Sequence, residues 1–102
     1  AMPKIVDFVL DDGIRKRHHH KTEKGRVINF AVQLEVRVRE KWRVIIRYDC
    51  SHGFSHVDQY DIMGNRTKKV LDLTFDSALT FSDWDINENW RKYRNAFLRK
   101  KQ

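Results

Sequence analysis

One cysteine, one proline and four glycines are all that 102 residues contain of these types. A single thiol, Cys50, excludes an internal disulfide and any cysteine-rich zinc module, and a reducing cytoplasm is the expected setting. So little proline and glycine excludes a collagen-like or low-complexity chain. No apolar run approaches the length of a membrane span, and the start lacks the basic, apolar and small-residue regions of a signal peptide, so no membrane association is expected. No repeat or linker divides the chain. The expectation is one domain over residues 1–102, with 1–26 partly flexible.

What the chain does have is aromatic and basic. Six Phe, three Trp and three Tyr provide bulky core material, and the net charge is +7. The excess sits at the two ends, in Arg15, Lys16, Arg17, Lys21, Lys24 and Arg26 and again in Arg91, Lys92, Arg94, Arg99, Lys100 and Lys101. Between residues 27 and 90 acidic groups slightly outnumber basic ones. Such ends attract a polyanion such as RNA, or an acidic partner protein. Solubility and helix-end electrostatics are the plainer reading.

Lys4 to Leu10 reads as a strand, and Asp11-Asp12-Gly13 as a turn. Residues 15–24 show no apolar period, which predicts a mobile loop or a frayed strand start. From Asn29 to Arg39 the chain alternates strictly, with Phe30, Val32, Leu34, Val36 and Val38 on one face. A period of two over this length predicts a long half-buried antiparallel strand. Glu40-Lys41 marks a hairpin turn, after which Trp42, Val44, Ile46 and Tyr48 continue the apolar face, opposite Arg43, Ile45, Arg47 and Asp49. A third strand is predicted over Phe54 to Ile62 and a fourth over Lys68 to Leu73. The C-terminal part then changes to helical spacing: a short helix over 75–82, and a final one capped by Asp85 with Glu88 three residues on. The fold class is α+β: an antiparallel β-meander of four or five strands packed on one face by a C-terminal helix.

One segment is dense in chemistry. Arg47, Tyr48, Asp49, His52, His56 and Asp58 surround Gly53. His56 and Asp58, two residues apart on a strand, share a face, and a turn at Gly53 brings His52 near them. His52, His56 and a carboxylate then fit a divalent metal with a position left for water. The same groups fit metal-free RNA cleavage, with no cofactor. One histidine deprotonates the 2′-hydroxyl, the other or Tyr48 assists the leaving oxygen, Arg47 stabilises charge, and Asp49 or Asp58 fixes an imidazole tautomer. The plainest reading is a hydrogen-bonded cluster that closes a hairpin. For contact with a nucleic-acid backbone the candidates are Arg15, Arg17, His18, His19 and His20 at the basic start, Arg37, Arg39 and Arg43 with Arg47 on the outer sheet face, and Lys92 and Arg99 at the end. Trp42 and Trp90 fall on apolar faces and read as core. Trp84 lies off that pattern and reads as exposed.

The basic, histidine-rich start, Gly25-Arg26-Val27 leading to Phe30-Ala31-Val32-Gln33, the segment Trp42 to Asp58, and Asp85 to Trp90 together resemble a family of small uncharacterised prokaryotic proteins over most of the chain. More loosely, Arg47-Tyr48-Asp49 with His52 and His56 is similar to the core of TumE-type toxins of toxin–antitoxin pairs. That resemblance implies a compact sheet-and-helix protein neutralised by an antitoxin. The functional expectation is a nucleic-acid-associated protein, specifically an RNA-cleaving toxin component. The alternatives are a non-enzymatic module that binds an acidic partner and a metal-dependent hydrolase.

Overall fold

The computed structural model describes residues 3–99. Six antiparallel strands, β1 (Lys4–Asp11), β2 (Ile14–Glu23), β3 (Arg26–Val38), β4 (Lys41–Asp49), β5 (His56–Tyr60) and β6 (Arg66–Val70), form one sheet in sequence order. One helix, α1 (Phe75–Leu98), follows them. The meander with a C-terminal helix is therefore present, with one more strand than the upper expectation.

The additional strand is β2. Its inward positions, Lys16, His18 and His20, lie opposite Leu34, Val32 and Phe30 on the helix side, so no apolar alternation marks it in the sequence. Lys16 is buried all the same, because its ammonium donates to Asp83 Oδ1 at 2.6 Å and Asn87 Oδ1 at 2.8 Å on α1. The paired ends of a buried charge substitute for the apolar contacts that usually hold a strand down.

β4 departs from the simple alternation. Leu34 pairs with Ile46 but Glu35 pairs with Val44, which leaves Ile45 as an extra residue. Such a bulge inverts the facing of everything before it. Ile45 and Ile46 are both buried, whereas Trp42 turns to the face away from the helix and is 38% exposed. Trp42 is thus not a core residue, and its indole lies under the Arg15 guanidinium at 3.9 Å. Arg43 is carried the other way, to the helix side, where it donates to the Ile62 carbonyl at 2.9 Å and lies over Phe97. The β3–β4 hairpin turns through Arg39 and Glu40, both at positive φ (51° and 69°), the backbone that two-residue hairpins require.

The helix is one continuous element and not two. Thr74 caps it, its Oγ1 accepting from the Ser77 N–H at 3.1 Å, and no proline or glycine interrupts residues 75–98. Asp85 is therefore not a cap. Ala78, Ser82, Ile86, Trp90 and Phe97 form the buried stripe that packs on the inward side chains of β3 and β4. Within that stripe the buried Asp85 carboxylate accepts from Tyr48 Oη at 2.6 Å, Tyr93 Oη at 2.7 Å and Asn89 Nδ2 at 2.7 Å. Burial first, then these bonds to Asp85, push both phenols well above the usual tyrosine range.

That clamp has a consequence in alkali. The folded phenols hold protons that the unfolded chain releases above pH 10.0, so unfolding is favoured as pH rises from there. The unfolding free energy is expected to fall by up to about 1.4 kcal/mol per pH unit for each tyrosine. In urea titrations from pH 9 to 12, Tyr48→Phe and Tyr93→Phe should each flatten this slope; an unchanged slope in the double variant would remove the clamp from the account.

Candidate metal centre

Register places polar side chains in rows on the sheet face that the helix leaves open. One row, crossing from β1 to β6, holds Asp7, Arg17, Gln33, Arg47, Asp58 and Lys68. The row beside it brings His19, Ala31, Asp49 and His56 together. Neighbouring strands lie only about 4.8 Å apart, so side chains within a row touch.

His56 stands where the two rows meet. Its Nε2 lies 2.6 Å from Asp49 Oδ1, and its Nδ1 lies 4.0 Å from Asp58 Oδ1. One ligand atom from each of the three residues falls within 4.8 Å of the others, and all three side chains are buried. This is a His/Asp/Asp cluster capable of coordinating a metal ion.

The electrostatics of the cluster are asymmetric. Burial pushes the Asp49 carboxyl up, but the Ser51 N–H at 3.1 Å, the Arg47 guanidinium at 2.7 Å, the Ser51 hydroxyl at 3.0 Å and the His56 ring together hold it below the usual aspartate value. Asp49 is thus a charged acceptor. With Nε2 directed at Asp49, the second ring nitrogen, Nδ1, is left on the Asp58 side. That nitrogen and Asp58 Oδ1, both buried, have no hydrogen-bond partner, and neither has the buried Ser55 hydroxyl. At 4.0 Å the two atoms are too far apart to bond each other directly, and a cation between them would satisfy both. The gap is just under two metal–ligand bonds of about 2.0–2.2 Å, so both atoms reach a single ion.

A short loop roofs the cluster. The Gly53 N–H bonds the Cys50 carbonyl at 3.0 Å, and a φ of 86° at Gly53 turns the chain back over β5. His52, exposed, stacks on His56 with ring centroids 5.5 Å apart, and the Phe54 ring lies 5.6 Å from His56. Cys50 points inward toward Asn29 and the Phe30 carbonyl, and burial pushes its thiol up, away from nucleophilic use.

Of the residues singled out in the sequence, Arg47, His52, His56 and Asp58 do converge. Tyr48 does not: it faces the helix and is bonded to Asp85. In the metal set Asp49 occupies the place expected of His52, whose ring covers the cluster from outside. Among the basic candidates Arg15, Arg17, His19 and Arg37 lie on the open face with Arg47. The expected row of Arg37, Arg39, Arg43 and Arg47 is broken, since Arg39 lies in the hairpin turn and the Ile45 bulge turns Arg43 to the helix side. His18 and His20 also face the helix side, with His18 Nε2 2.7 Å from His20 Nδ1 and His18 Nδ1 3.6 Å from Asp83. Burial first lowers the His18 pKa, against the pull of Asp83. Lys92 and Arg99 are exposed near the end of the chain, away from the cluster.

Glu35 was not among the candidates. It is buried on the open face, bonded by Arg15 at 2.7 Å and by Gln33, which also accepts from Arg47 at 2.6 Å. A charged residue on the polar side of a strand gives no sign of burial; only the neighbouring strands supply it.

Residues 4–102 match the model of DUF7718, described as a domain of unknown function. The chain belongs to this family. No curated protein and no solved structure matches it. That description assigns no activity, so the chemistry of this DUF7718 domain has to come from its side chains. Among the described residues no helix is long and apolar enough to cross a membrane.

The unpartnered pair predicts an unusual stability effect. Asp58→Asn removes a buried charge and gives His56 Nδ1 a donor amide, so in chelator the variant is expected to be more stable than wild type by about 1 kcal/mol. Urea unfolding at pH 7 measures this. A loss of 2 kcal/mol or more would mean that the Asp58 carboxylate already has a partner in the ion-free protein.

Proposed function

We propose that this domain binds a divalent transition-metal ion through His56, Asp58 and Asp49 and uses it to hydrolyse an anionic substrate, with phosphate esters the fitting class. The observation that carries the reading is the pair of buried, unpartnered atoms, His56 Nδ1 and Asp58 Oδ1, aimed at one another. Buried polar atoms are nearly always satisfied, so two orphans on facing ligand types favour a missing cation. The donor set contains nitrogen and oxygen but no sulfur, which suits Zn²⁺ or Mn²⁺. Asp49 completes the set, either as a third ligand or as the carboxylate that orients the imidazole from behind.

A bound ion would supply a Lewis acid and a water acidified toward neutrality. In the hydrolysis itself water adds to phosphorus, one P–O ester bond breaks, and the departing oxygen takes up the proton that the water gives to solvent. Three protein ligands at most leave coordination positions for that water. Arg47, bonded to Asp49 and 39% exposed, is placed to meet the negative charge of the substrate. The exposed His52 and Phe54 rings both lie against His56, and a substrate would reach the ion as these side chains change rotamer.

The likeness to TumE-type toxins supports the same segment but rests on Arg47 to His56 alone. Metal-free RNA cleavage by the two histidines requires both rings at the surface, and His56 is 1% exposed. For that reason the metal-dependent reading is preferred.

Titration calorimetry with Zn²⁺ and with Mn²⁺ on chelator-stripped protein is expected to give one site per chain. His56→Gln and Asp58→Asn should each weaken that binding at least 100-fold, and the wild type should show ion-dependent cleavage of bis(p-nitrophenyl) phosphate. Absence of binding in the folded wild type would overturn the proposal, as would cleavage that persists undiminished in chelator.

A further inference from the structure

Two hollows meet on the open face. One, about 220 Å³, is lined by residues including Asp7, Arg17, His19, Gln33 and Arg47. The other, about 540 Å³, is lined by residues including Gln33, Trp42, Val44, Arg47 and Tyr60. Gln33 and Arg47 belong to both, so together they make a groove across the sheet, and Arg47 within it is bonded to Asp49 of the metal centre.

The charges of this groove are layered. The Glu35 and Asp49 side chains are 5% and 7% exposed, while those of Arg17 and Arg47 are 45% and 39% exposed. Glu35 and Asp49 therefore lie beneath the guanidinium groups, while Asp7, its side chain 47% exposed, accepts from Arg17 Nε at 3.1 Å at solvent level. Arg47 is fixed by Asp49 at 2.7 Å and Gln33 at 2.6 Å, and Arg15 by Glu35 at 2.6 Å. Each guanidinium is matched by a carboxylate, and Arg15 and Arg47 are already ordered over buried ones, so an anion that meets them does so at low entropic cost.

The second property is aromatic. Trp42, turned outward by the β4 bulge, lies under the Arg15 guanidinium at 3.9 Å and lines the groove together with Tyr60. A sheet face that combines ordered arginines with the exposed Trp42 ring and the half-buried Tyr60 suits bases stacked on rings and phosphates set on guanidinium groups. An acidic polypeptide would use the arginines but not the rings. A duplex would bury its bases and have no use for them either.

We infer that the open face of the sheet is a binding groove for single-stranded nucleic acid, with phosphates on Arg17 and Arg47 and a base against the stacked Arg15–Trp42 pair. This inference deepens the hydrolase reading and rests on it for the substrate class: the row Arg17, Gln33, Arg47, Asp58 leads a strand laid across the sheet to the metal centre. The binding itself depends on the groove alone and can be tested without the ion.

The test is fluorescence anisotropy with labelled 12-nucleotide single-stranded RNA and DNA and the matching DNA duplex, in chelator. At low salt a single strand should bind at least tenfold tighter than the duplex. Affinity should fall steeply with salt as counterions are no longer released to advantage. Trp42→Ala and Arg17→Glu should each weaken single-strand binding about tenfold or more, and Trp84→Ala, on the helix side and 56% exposed, should not. Circular dichroism confirms that each variant is folded. Because these measurements are made in chelator, wild-type binding reports the groove alone, and failure of the metal centre is read separately by the Zn²⁺ and Mn²⁺ titrations. Stronger RNA than DNA binding would assign a ribose contact, and equal binding would place all contacts on phosphate and base; both support the groove. Equal affinity for duplex, displacement by polyglutamate as effective as by an unlabelled strand, or indifference to Trp42→Ala would overturn it.

Discussion

The Asp85 carboxylate is the point on which the rest of the structure turns. A single helix has to hold a six-stranded sheet, and it does so by placing one charged side chain against the inward face of β4, where Tyr48 meets it, while Tyr93 and Asn89 of the same helix close the remaining acceptor positions. A buried carboxylate with three donors is tolerated, and with fewer it is costly. The clamp is directional, so it fixes the helix along and across β4. Lys16 repeats the device on β2 by reaching Asp83 and Asn87. Between these two polar contacts the apolar stripe from Ala78 to Phe97 packs without slipping.

With α1 committed to one face, the other face has to satisfy itself. Its buried carboxylates Glu35 and Asp49 are met by arginines from adjacent strands, and a loop of six residues lays His52 and Phe54 over His56. A network of this kind is usually complete. Here it is complete at Glu35 and Asp49 and incomplete at His56 and Asp58. The place where satisfaction fails coincides with the place where metal-binding side chains converge, and such local inconsistency is a mark of function more often than of stability.

The sequence showed β3 clearly because strict alternation over a long stretch has one interpretation, and it showed the helical stripe through Trp90 and Phe97. It also marked His56 and Asp58 as sharing a face, and Asp49 as a residue able to set the imidazole tautomer. What it hid follows one rule. β2 was invisible because Lys16, His18 and His20 are inward-facing polar residues whose partners are distant in the chain. Asp85 looked like a cap because Glu88 follows it at the right spacing, while its two tyrosines are far away or one face round the helix. Trp42 looked like core because a bulge leaves no trace in composition. In each case the missing information was a contact between residues remote in sequence.

The extra residue in β4 has a reach beyond its own position. Since Ile45 is counted in without a partner on β3, the short stretch before it is offset by one step, and Trp42 and Arg43 exchange sides. The aromatic ring on the exposed surface is there because of arithmetic in the backbone and not because of any preference of tryptophan for water. Loss of that one residue would restore perfect alternation, draw the indole inside and strip the surface of its ring with every other amino acid unchanged. In this domain the chemistry offered to the outside is written partly in residue number, and a single-codon deletion would edit it as surely as a substitution.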